Sequence, residues 1–305
     1  MHYVTNSSSI MRLVKQTNKL TIFGSAFRFG QLKDGVQKAP GVMSKAGISE
    51  KLINVGNKVR HYGMIYPDMR ETPERTVGLY TANLARKVFQ ERESGRKIVN
   101  IGGDHSVAIG SINGVLEHDP DTIVIWIDAH ADINTMISSP SGQFHGMPLA
   151  FLTGLDSPRK LSQSRYLIPK LGFDSLALIG IRDLDQFERN VVIGNQIANY
   201  SSEDVKRDAS GVIERAVARL DPDAKRPIYV SFDIDVFDPE VAKGTGTLAR
   251  NGIRLVNAYD ILDYLRDTGR VIGMDMVEVN PELDRTGVTT MMAMACIERL
   301  FDNRV

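Results

Sequence analysis

The chain has 305 residues, 42% of them hydrophobic, with 37 Lys plus Arg against 37 Asp plus Glu and a formal net charge of zero. It is too apolar to be disordered, and it lacks the positive excess that general binding to nucleic acid or to an anionic membrane requires. No run approaches the roughly 18 consecutive apolar residues of a membrane helix, and the single cysteine, Cys296, excludes an internal disulfide and points to a reducing compartment.

In chain order, residues 1–19 come first. They carry Arg12, Lys15 and Lys19 and three serines at Ser7, Ser8 and Ser9, and no acidic residue precedes Asp34. A short tail ahead of the first strand reads this way, with the protein in the cytoplasm; so does a mitochondrial transit peptide. From residue 20 to 305 a single domain is expected. Short apolar, β-branched runs recur at 20–23, 97–101, 122–127, 176–181, 227–232 and 271–276. Most lack in/out alternation, as strands buried on both faces do. Helical spacing lies between them. Val77, Tyr80, Leu84 and Val88 repeat with a helical period, and Gly95 is a suitable C-cap; Ala258, Ile261, Leu262 and Leu265 do the same before Gly269. Strands alternating with helices predict an α/β fold with a mainly parallel sheet. Cys296 falls in an apolar helical run with Met291, Met292, Met294 and Ile297, which makes it a core residue.

Three polar clusters follow strands directly. Gly102-Gly103-Asp104-His105-Ser106 follows 97–101, Asp128-Ala129-His130-Ala131-Asp132 follows 122–127, and Asp233-Ile234-Asp235 follows 227–232. In wound α/β sheets ligands bind outside the carboxyl ends of strands. In extended chain, residues two apart point the same way, so Asp128, His130 and Asp132 share a direction, as do Asp233 and Asp235. Four carboxylates converging with His105 and His130 would repel one another, and two divalent cations would balance them. Oxygen ligands with some imidazole suit a hard or borderline ion such as Mn²⁺. No cysteine lies near, which excludes a thiolate zinc site. No glycine-rich phosphate loop follows the first strand, which excludes the common nucleotide-binding fingerprints.

Taken in order, Gly-Gly-Asp-His-Ser, Asp-Ala-His-x-Asp and Ser-Phe-Asp-x-Asp-x-x-Asp-Pro resemble the binuclear-manganese ureohydrolases, the family of arginases, agmatinases and formimidoylglutamases. The resemblance runs from about residue 20 to the end. It implies a three-layer α/β domain with an eight-stranded, mainly parallel sheet. It implies two Mn²⁺ ions, one held by His105, Asp128, Asp132 and Asp233, the other by Asp128, His130, Asp233 and Asp235. Within the family the substrate segments look most like those of arginases. Asn134, Ser141 and Gln143 match positions that read the substrate α-carboxylate, and Asp185 and Glu188 match those that meet its α-ammonium. Glu278 matches the carboxylate gripping the guanidinium, and Thr247 a hydroxyl lining the pocket. Gln143 departs from the pattern, standing where a shorter Asn is usual.

The resemblance implies manganese-dependent hydrolysis of L-arginine to L-ornithine and urea by a metal-bridging hydroxide. Asp132 would relay a proton, and His145 would act as shuttle, with an ordinary histidine pKa of ~6.5. A homo-oligomer, trimer or hexamer, is implied as well. Two rivals stand. An agmatinase or another guanidino-substrate ureohydrolase would not need the anchors for carboxylate and ammonium. A non-catalytic arginine-binding protein would not need six intact ligands.

Overall fold

A computed structural model describes residues 18–304. The expectation of a tail or transit peptide therefore lies almost wholly outside the described residues. The eight strands are β1 (Lys19–Ser25), β2 (Lys58–Ile65), β3 (Lys97–Ile101), β4 (Ile123–Ile127), β5 (Leu176–Ile181), β6 (Ala198–Ser201), β7 (Ile228–Asp233) and β8 (Val271–Val277). They form one sheet in the order β2-β1-β3-β8-β7-β4-β5-β6, with every neighbouring pair parallel. The first strand starts one residue ahead of the expected boundary, at Lys19.

Among the described residues, ten α-helices connect and cover them: α1 (Ala39–Lys45), α2 (Ile48–Asn54), α3 (Pro73–Glu93), α4 (Ala108–His118), α5 (Pro148–Thr153), α6 (Gln186–Gly194), α7 (Ser202–Arg207), α8 (Ala209–Leu220), α9 (Leu255–Asp267) and α10 (Val288–Leu300). None is long and apolar enough to cross a membrane. Thr72 caps α3 through a hydrogen bond from Arg75 N, and Pro73 opens it. The C-cap is Ser94, one residue ahead of the expected Gly95, which follows it at φ +69°.

Strand β4 shows why the run 122–127 had no alternation. Ile123, Ile125 and Ile127 face one layer with Val212 of α8, Ile261 of α9 and Ile297 of α10. Val124 and Trp126 face the other, with Leu84 of α3 and Ile112 of α4. Each fully buried aliphatic side chain contributes about 1.5–3 kcal/mol. Cys296 is fully buried in the first layer, as expected.

The strand order positions the chemistry. The chain leaves β3, passes over two positions and lays down β4; β7 and β8 fill the gap later. The turns leaving β3, β4, β7 and β8 consequently open at one edge, side by side. Gly103 makes this close packing feasible, since a Cβ there would lie 1.6 Å from Phe27 O.

Candidate metal centre and substrate cleft

The turn after β3 is fixed by Asp104, whose carboxylate accepts hydrogen bonds from Ser106 N at 3.0 Å and Gly30 N at 2.8 Å. This presents His105, fully buried, with its ring stacked 4.0 Å from Trp126 at 8°. Its Nε2 lies 2.9 Å from Ser231 Oγ. Its Nδ1 lies 3.1 Å from Asp128 Oδ2, 3.0 Å from Asp132 Oδ2 and 3.2 Å from Asp233 Oδ2. None of these contacts has hydrogen-bond geometry, so Nδ1 is an orphaned buried atom among three carboxylate oxygens. A second group forms alongside: His130 Nδ1 lies 3.1 Å from Asp235 Oδ2 and 3.4 Å from Asp128 Oδ1.

All six expected ligands are thus brought together in two groups that share Asp128. Asp233 joins the first group; the second comprises Asp128, His130 and Asp235. The route to this convergence differs from the extended-chain expectation. Only Asp233 lies within a strand; His105 and Asp235 sit in single 3₁₀ turns of helix, and Asp128, His130 and Asp132 in the irregular segment that follows β4. Asp128 Oδ1 accepts from His130 N at 2.7 Å, and Asp233 Oδ1 accepts from Asp235 N at 2.8 Å. These local bonds fold the backbone so that residues two apart share one target. Asp132 has a left-handed φ of +48°, which turns its carboxylate back toward His105.

The electrostatics call for a cation. Burial, then the Asp235 and Asp128 charges, push Asp233 well above the usual carboxylate range. Burial and Asp128 raise Asp132, and burial takes Asp235 to about 6 despite His130. Burial opposes charge on His105 and His130, but the surrounding carboxylates outweigh it and raise both. Without a metal the cluster has to be neutralised by protons. An orphaned imidazole nitrogen with carboxylate oxygens around it fits a hard or borderline divalent ion instead.

Above the cluster lies a cleft of about 230 Å³ lined by His130, Asp132, Asn134, Ser141, Gln143, His145, Glu188, Asp233, Asp235 and Thr247. Gln143 Oε1 accepts from Leu32 N at 3.2 Å, and its amide NH₂ has no partner among the described residues. Ser141 Oγ accepts from Gln143 N at 3.2 Å, so it shapes the rim turn as well as lining it. Asp185 stands behind the wall, caps α6 by accepting from Glu188 N at 2.9 Å, and accepts from Asn134 Nδ2 at 2.7 Å. Glu188 completes a capping box, and burial followed by the Asp132 charge raises its pKa to about 7. The expected substrate anchors on this side are therefore also a helix cap.

Glu278 follows β8 and is also set behind the cleft wall. Its Oε1 accepts from His105 N at 2.9 Å and lies 3.1 Å from His145 Nδ1; its Oε2 accepts from Gln31 Nε2. His145 does not keep the ordinary value of a free imidazole. Burial opposes its charge, but the Glu278 bond raises its pKa to about 9.

Two residues here were not singled out from the sequence. Gln31, 6% exposed, holds Glu278. Arg182 donates to the carbonyls of Asp235 at 2.8 Å, Ala249 at 2.9 Å and Val236 at 3.1 Å, stapling the turn that carries Asp235.

Comparison with known proteins agrees with this geometry. The model of the Arginase family matches residues 18–301. The arginase of Emericella nidulans is 36% identical over 96% of this chain and 96% of its own length. The arginase structure from Bacillus caldovelox superposes with a TM-score of 0.88 at 32% identity, covering 94% of this chain and 99% of that one. The Entamoeba histolytica arginase in complex with L-ornithine gives 0.85 at 32% identity, over 94% and 98% of the two chains. From the matched length, the shared fold and the identity to its relatives, the chain belongs to the arginase family.

Proposed function

We propose that the protein hydrolyses L-arginine to L-ornithine and urea. His105, Asp128, Asp132 and Asp233 would hold one divalent cation, and Asp128, His130 and Asp235, with Asp233, the other; Mn²⁺ is the ion the donor set suits. Bound there, two such ions would supply a water acidified well below its bulk pKa of ~15.7, the hydroxide source that attack on a resonance-stabilised guanidinium needs. The observation that carries this reading is the pair of ligand groups sharing Asp128 at the floor of a cleft with polar walls.

The chain's own residues supply the rest. Asp132 accepts the nucleophile's proton and passes it to the leaving amine. Glu278, which already meets three N–H groups from His105, His145 and Gln31, takes the guanidinium by paired charge-assisted bonds once His145 yields its contact. His145 is protonated while it faces Glu278, and once that contact is released it gives its proton to the product amine. The free amide of Gln143, with Ser141 and Asn134, reads the α-carboxylate. Asp185 and Glu188 receive the α-ammonium, which draws Glu188 back to its ionised form. Thr247 lines the far wall. We further place the chain in a homo-oligomer, a trimer or hexamer, read by light scattering as three or six times the single-chain mass.

The test is urea release from L-arginine and from agmatine, with and without Mn²⁺. Mn²⁺-dependent release from arginine alone supports the full reading. Faster release from agmatine would keep the metal residues and remove the anchor roles of Asn134, Ser141, Gln143, Asp185 and Glu188. Arginine binding without metal and without urea would mark a non-catalytic binding protein.

A further inference from the structure

At the opposite edge of the sheet, where the strands begin, lies a cavity of about 500 Å³, larger than the hydrolytic cleft. Its lining is cationic: Lys19, Arg92, Lys97, Lys225 and Arg270, against the one lining carboxylate of Asp119. Most of these charges are matched. Arg92 Nε lies 2.8 Å from Asp119 Oδ2, Arg270 pairs with Asp221, and Lys225 lies 3.4 Å from Asp223.

Lys97 is different. It is the first residue of β3 and 9% exposed. Among the described residues its ammonium has no hydrogen-bond or ion-pair partner. Burial, then the Arg92 guanidinium, lower its pKa to about 8. It also borders a second cavity of about 430 Å³, but the carboxylates there, Asp267 and Asp302, are engaged by Arg266 and Arg304. Residues 1–17 contain no Asp or Glu, so the N-terminal segment carries no carboxylate side chain that would answer it. The Lys97 stem is buried and its ammonium lines the cavity beside the Arg92 guanidinium, a cationic pairing that an anion would complete.

We propose that this cavity is a binding site for a small organic anion, distinct from the hydrolytic cleft. The carboxylate or phosphate group rests at Lys97, and an apolar body lies against Pro227, Val271 and Ile272. The volume exceeds what a bare inorganic ion fills, and those three side chains offer it no hydrogen bonds.

Reductive methylation of the full-length protein tests this, with the extent at each lysine read by peptide mass spectrometry. Inorganic phosphate and benzoate are the probes, against chloride at equal ionic strength. At saturation at least one of them should slow methylation of Lys97 about fivefold, leave exposed Lys45 unchanged, and raise the melting temperature. Protection by phosphate identifies a phosphate group as the anchor; protection by benzoate alone identifies a carboxylate on an apolar body. Lys97→Met should abolish the melting shift while keeping arginine hydrolysis, because residue 97 touches no part of the cleft. No protection of Lys97 by either probe, or an equal melting shift in Lys97→Met, overturns the proposal.

Discussion

Glu278 sits at φ +61°, a left-handed conformation that costs about 1–3 kcal/mol for a residue with a side chain. Its N–H donates to Gly103 O at 2.9 Å, and its carboxylate meets His105 N, His145 and Gln31. Gln31 is the contact that can be removed without touching a metal ligand or the proton shuttle. A hydrogen bond to a charged group is worth about 1.5–3 kcal/mol, so Gln31→Leu should lower kcat/KM for L-arginine about 10- to 100-fold while Mn²⁺ affinity stays constant. Steady-state kinetics beside a metal titration checks it; unchanged kinetics would mean that His105 N and His145 suffice. The six candidate ligands were legible in the sequence because Asp and His stood at short spacing directly behind apolar runs. Gln31 was not, because its partner lies 247 positions away and a lone amide in a loop has no periodic neighbours to mark it. His145 was legible as a titrating residue but not in its pKa, which Glu278 sets from another strand end.

At the scale of elements, the turn after β7 depends on a side chain from the turn after β5. Arg182 satisfies carbonyls of Asp235, Val236 and Ala249 in a partly buried setting. Arg182→Met keeps the apolar stem and leaves those acceptors unpaired. It should destabilise the fold by roughly 2–4 kcal/mol and loosen the second metal group before the first. Urea unfolding with and without Mn²⁺ reads both effects, and a midpoint equal to wild type would show that the staple is dispensable. Of the eight strands, the six with continuous apolar runs were visible in the sequence. The edge strands β2 and β6 were not. β2 is mostly exposed, carries Arg60, His61 and Gly63, and pairs on one side only; β6 has four residues. Edge strands lack the double burial that makes a run uniformly apolar.

For the molecule as a whole, the parallel sheet class followed from alternation, but the strand order did not. Nothing local reveals that β8 and β7 insert between β3 and β4, and that insertion gathers three distant clusters into one centre. The gathering has a thermodynamic signature. Glu188 is raised to about 7 and Asp235 to about 6, above ordinary values of about 4.3 and 3.9. His105 and His130 are raised as well. Groups raised on folding stabilise the protonated folded state below their unfolded pKa, and that stability is lost as pH climbs through the folded value. The melting temperature of chelated protein should therefore fall between about pH 5 and pH 8. Divalent cations need deprotonated ligands, so Mn²⁺ should protect more as pH rises, and the gap between loaded and chelated protein should widen. A gap that narrows over this range would contradict the cation assignment.

The most direct measurement is metal content per chain, by equilibrium dialysis against Mn²⁺, taken on the same samples as urea release from L-arginine. Two ions per chain are expected, with hydrolysis rising as they fill and both lost in Asp128→Asn, which removes the shared ligand. Full arginine hydrolysis by chelated protein, or two ions retained in Asp128→Asn at wild-type rate, would contradict the central claim.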